Sequence, residues 1–99
     1  MIDNSLVAVS FEVVRAFGLE KCVNKTAELI AKTVMESGLV NLEATTDLFV
    51  ENLSAAAGDG LMEWFPEITD DEEIKYFRLA FWTSIRTTAI AKLHQGGTA

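Results

Sequence analysis

The sequence predicts an all-α domain of four helices, and three observations predict it. Glycine stands only at positions 18, 38, 58, 60, 96 and 97 and proline only at 66, so long blocks run without a helix breaker. Within each block the apolar residues recur at the three-to-four-residue spacing of an amphipathic helix, and glycine after such a run is the usual stop. Just one stretch alternates as a strand would, and a lone strand has no partner within the chain. The expected helices span about 5–17, 19–37, 42–57 and 70–95, joined by a connector at 58–69 in a single domain over residues 1–99. A chain of this length has no room for a second domain, yet folding buries somewhat over about 60% of its unfolded surface.

In the first block Val7, Val9, Phe11 and Val13 alternate, which favours a strand. The helical reading instead puts Leu6, Val9, Val13 and Phe17 on one stripe behind a cap from Asn4 or Ser5, and leaves strand pairing with a second chain as its competitor. In the second block Leu19, Val23, Thr26, Ile30 and Val34 share a narrow arc with Cys22, Ala27 and Leu29 beside it, opposite Lys21, Lys25, Glu28, Lys32 and Glu36. The third block turns Leu42, Thr46, Phe49, Leu53 and Ala56 inward. Its outer face lines up Glu43, Asp47 and Glu51 as an acidic ridge, about 6 Å per step.

The fourth helix carries the strongest signals. Thr69 with Glu72 reads as a capping box, Asp70 to Glu73 load the first turn with negative charge, and Lys92 and His94 complement the far end. Its apolar residues form two faces: Ile74, Phe77, Phe81, Ile85 and Ala89 on one, and Leu79, Trp82, Ile90 and Leu93 with Arg86 on another about 120° away. A helix apolar on two sides is central or shared. The second stripe, Leu79, Trp82, Arg86, Ile90 and Leu93, is therefore expected at a homodimer seam, with burial by the first helix as the simpler alternative.

Charge narrows the function. Eleven acids and no lysine or arginine lie between Thr33 and Ile74, the net charge is -7, and nearly half the residues are apolar. A folded acidic surface disfavours direct contact with nucleic acid or an anionic membrane and favours a basic partner. The apolar run between Arg78 and Arg86 is far too short to span a bilayer. Cys22 has no disulfide partner, and the first residues lack the positive region of a secretion signal, so the expected location is cytoplasmic.

No motif for catalysis, a metal or a cofactor stands out. Cys22 on the inward arc is expected to be buried and inert, and His94 is a helix-end residue. One cysteine and one histidine do not make a structural zinc site, and alanine at 91 removes the Glu-x-x-His pair of di-iron bundles. A calcium loop counted from Asp59 has Leu61 at its third position and glycine at its second. The connector stands apart: Met62, Trp64 and Phe65 are apolar beyond the needs of a loop and are flanked by Glu63 and Glu67. Such a segment is either a lid over the helix ends or an aromatic anchor for another protein.

The expectation is a non-enzymatic acidic interaction module that needs no cofactor. As a small regulator or antagonist it binds and blocks another protein, such as a transcription factor or other nucleic-acid-binding protein, using Met62, Trp64 and Phe65 with the ridge Glu43, Asp47 and Glu51 against a basic surface. A helical bundle enclosing a small apolar ligand, or an enzyme subunit whose site forms across a dimer, are the competing readings.

Overall fold

A computed structural model describes residues 4–38 and 40–97, with the side chains at 4, 5, 59, 61 and 64 outside the described part. Its elements are α1 (Asn4–Ala16), α2 (Glu20–Ser37), α3 (Leu42–Ala57), a 3-10 segment (Gly58–Trp64) and α4 (Asp71–Gly97), with no strand among the described residues. The all-α, four-helix expectation holds, and the strand reading of the first block gives way to a helix.

Local chemistry explains the boundaries. Gly18 and Gly38 end α1 and α2 at φ of 69° and 71°, a left-handed conformation that costs an L side chain about 1–2 kcal/mol. The Asn41 side chain caps α3 by accepting from the Ala44 N–H at 3.0 Å. The expected capping box is displaced by one residue: Asp70, not Thr69, caps α4, its carboxylate accepting from the Glu73 N–H at 3.2 Å. Asp71, Glu72 and Glu73 then fill the first turn. The cap expected at Asn4 or Ser5 falls on side chains outside the described residues.

Helix α4 is the spine. Its 27 residues extend about 40 Å at 1.5 Å each, close to the 42 Å long axis of the molecule. It touches all three other helices, and α2 also packs on α3. Helices α1 and α3 run antiparallel to it and α2 parallel: Val13 and Phe17 share a lining with Phe77 and Phe11 with Thr88, Leu42 with Leu93 and Ala57 with Phe81, and Cys22 with Phe81 and Ala31 with Lys92. Phe77, Phe81, Ile85 and Ala89 are buried along α4, as the first stripe predicts. They meet Val23, Ala27, Ile30, Ala31 and Val34 from α2, together with Val14 and Val50.

Where burial departs from periodicity, hydroxyl residues are usually the reason. Ser10 and Val14 form the buried centre of α1, leaving Phe17 39% exposed just past its end. Ser10 donates its hydroxyl to the Leu6 carbonyl at 2.7 Å, and with the donor satisfied it packs like a small apolar residue. Thr45 and Thr46 do the same on α3, donating to the Asn41 and Leu42 carbonyls at 2.7 Å each. The α3 arc turns toward them, so Leu53 and Ala56 are exposed rather than inward. On α2, Cys22 and Leu29 are exposed, correcting the expectation of a buried cysteine; the small side chains of Ala27 and Ala31 take the contact face. Ser84 on α4 is fully buried, and its hydroxyl has no hydrogen-bond partner among the described residues.

Candidate functional site

The connector closes the end of the bundle. Two short hydrogen bonds, Phe65 N–H to the Met62 carbonyl and Ile68 N–H to the Phe65 carbonyl, both 3.1 Å, hold its backbone. The half-buried Phe65 ring then sits 4.8 Å from Phe77 and 5.6 Å from Phe17, and Phe17 and Phe77 meet edge to face at 5.0 Å. These separations match favourable aromatic pairs. The Phe65 ring is thus packed against the chain's own aromatics, and Met62 is half-buried. The side chain of Trp64 lies outside the described residues.

The acidic ridge is on the surface, as its spacing predicts, but two of its three acids are engaged within the chain. Arg86 of α4 reaches across to α3 and donates from Nε to Asp47 Oδ1 and from Nη2 to Asp47 Oδ2, the latter at 3.3 Å, a two-pronged pairing. Its Nη2 also lies 3.9 Å from Glu43 Oε1. Asp47 is thus paired within the chain, and Glu51 is the ridge member left with no such pairing described.

The same contact lies on the α4 stripe that the sequence places at a dimer seam. Helix α3, not α1, runs down that stripe of α4. Leu93 is only 4% exposed and belongs to the chain's own core, Trp82 packs against that core with its ring 5.1 Å from Phe81, and Ile90 is half-buried. Arg86 is occupied by Asp47. Leu79, 49% exposed, is the stripe member still open to solvent.

A different surface gathers apolar side chains under acids. Val13 and Phe17 from the end of α1, Ile68 from the connector, and Tyr76 and Phe77 from α4 line an open groove of about 530 Å³. Glu72 and Glu73, from the first turn of α4, stand on the same lining, so apolar floor and negative edge belong to one groove. Tyr76 remains 47% exposed there. The sequence marks Glu72 and Glu73 only as a helix start and Phe17 only as the end of a stripe. The groove exists because the α1–α2 turn and the connector converge on the beginning of α4.

Other chemistry is sparse. Among the described residues no three histidine, cysteine, aspartate or glutamate side chains gather closely enough to hold a metal ion, and no helix is long and apolar enough to cross a membrane. Comparison with models of known protein families, with curated proteins and with solved structures found no match.

Proposed function

We propose that this chain is a non-enzymatic, acidic interaction module, a small regulator that docks a basic amphipathic segment of another protein in the groove of Val13, Phe17, Ile68, Tyr76 and Phe77 and thereby blocks that segment. The observation that carries the reading is an apolar groove with exposed aromatic side chains and two carboxylates on its wall. An amphipathic helix recognised in this mode inserts apolar residues from successive turns and places its flanking charges on the rim. Glu72 and Glu73 favour lysine or arginine at those flanks, and the net charge of -7 draws a positive partner from a distance. Basic amphipathic segments are what many nucleic-acid-binding proteins present, so antagonism of such a partner fits the charge. The reading requires no second copy of the chain.

The test is titration with a designed Leu/Lys amphipathic helix and with a Leu/Glu helix bearing the same apolar face. The basic peptide is expected to bind about tenfold or more tightly than the acidic one. Joint Glu72→Lys and Glu73→Lys substitution should erase that preference, and Tyr76→Ala should weaken binding with little effect on folding. Equal binding of both peptides, or chemical-shift changes that avoid the groove, would overturn the reading.

A further inference from the structure

A second cavity lies on another side of the connector. Leu19, Phe65, Phe81 and Trp82 wall a cleft of about 300 Å³ between α2, the 3-10 segment and α4, with Cys22 and Thr26 from adjacent turns of α2 also on the lining and the exposed Cys22 at its mouth. In a chain with 15 acids and 8 bases, no acid, lysine, arginine or histidine among the described residues lines this cleft. A charged ligand would lose its hydration there without gaining a counter-charge, which costs several kcal/mol.

Size and shape narrow the occupant further. The volume sits at the bottom of the roughly 300–1,000 Å³ range of ligand pockets, too small for a docked helix and suited to one or two fused rings. Phe81 and Trp82 meet nearly at right angles, 79°, with ring centroids 5.1 Å apart. With Phe65 also on the lining, these rings form walls that favour a planar aromatic guest over a flexible chain. The Thr26 hydroxyl and Cys22 thiol offer hydrogen bonds to one polar substituent.

We infer that this cleft is a binding site for a small, neutral, planar aromatic molecule carrying one polar group, of the class of phenols, indoles and naphthols. It is separate from the peptide groove and does not depend on that reading. Neutrality is set by the uncharged lining, planarity by the aromatic walls and size by the volume.

The experiment uses 2-naphthol as probe against the full chain, followed by calorimetry and amide chemical shifts, with the rate of Cys22 modification by a thiol reagent as a second readout. Saturable one-to-one binding is expected, with shifts at Leu19, Thr26 and Trp82 and Cys22 modification slowed severalfold. Charged 2-naphthoate should bind about tenfold or more weakly. Cys22→Phe plugs the mouth at an exposed helical position and should cost a similar factor, while Cys22→Ser should retain binding. Ala57→Leu fills the cleft from the α3 end and serves as a second plug should the first disturb folding, which circular dichroism would report. Absence of saturable binding at millimolar probe, equal affinity for naphthoate, indifference to both plugs, or shifts confined to Val13 and Tyr76 would each overturn the inference.

Discussion

Replacing Phe65 by alanine separates a lid from an interface anchor. The ring is half-buried and contacts Phe17 at 5.6 Å and Phe77 at 4.8 Å. A fully buried phenylalanine cut to alanine costs about 3–5 kcal/mol. Partial exposure reduces the transfer part, while the two ring contacts, about 0.5–1.5 kcal/mol each, are lost outright. The expected cost is about 2–3 kcal/mol, a large fraction of the stability of a domain this size. At about 4–8 °C per kcal/mol the melting temperature should fall by roughly 10–20 °C. Urea denaturation followed by far-ultraviolet circular dichroism measures the first quantity and a thermal scan the second. Tyr76→Ala is the matched control: at 47% exposure it should cost less than about 1 kcal/mol yet impair docking of the basic peptide. A Phe65→Ala protein within about 0.5 kcal/mol of wild type would show that the ring is not packed in solution, and the lid account of the connector would have to be abandoned.

Three further outcomes test the packing. Ser84→Ala removes a buried hydroxyl with no described partner and should be neutral or stabilising by up to about 1 kcal/mol; a loss of that size in chemical denaturation would mean the hydroxyl is bonded after all. A double-mutant cycle of Arg86→Met and Asp47→Asn should give a coupling of about 0.5–1 kcal/mol, upper-range for a partly exposed pair because the contact is two-pronged, and a coupling near zero would leave the ridge free for a partner. Leu93→Ala should cost about 2–5 kcal/mol while leaving the sedimentation coefficient of the folded protein unchanged, whereas a shift in sedimentation with intact stability would return Leu93 to an interface.

Helix limits were legible to within a residue or two because they depend on local chemistry: Gly18 and Gly38 stop helices through their own backbone angles, and the acid-rich start of α4 acts within one turn. Which arc of each helix faces inward was less legible. Ser10, Thr45 and Thr46 count as polar in a periodicity but lose that character once their hydroxyls bond the preceding turn. The site was hardest to read because it is non-local. Arg86 and Asp47 stand 39 residues apart, and nothing in either neighbourhood announces their pairing. The groove likewise joins the end of α1 to the beginning of α4, so Phe17 and Phe77 read as core and its acids as a helix start. The connector was recognised as unusual from composition alone, but composition does not distinguish a ring that closes a bundle from one that reaches for a partner.

The spine arrangement has a consequence for how the chain acquires its shape during synthesis. Helices α1, α2 and α3 all pack on α4, and the translating ribosome makes α4 after them. Until Phe77, Phe81, Ile85 and Ala89 have emerged, the apolar stripes of the earlier helices have lost their principal burial partner. Only the smaller contacts of α2 with α3 and α1, of the 3-10 segment with α3, and of Phe65 with Phe17 can precede it. The nascent chain therefore keeps much of its hydrophobic surface open until α4 has been made, an interval in which such chains are prone to aggregate. A product interrupted within α4 would retain three amphipathic helices and lack the element that unites them.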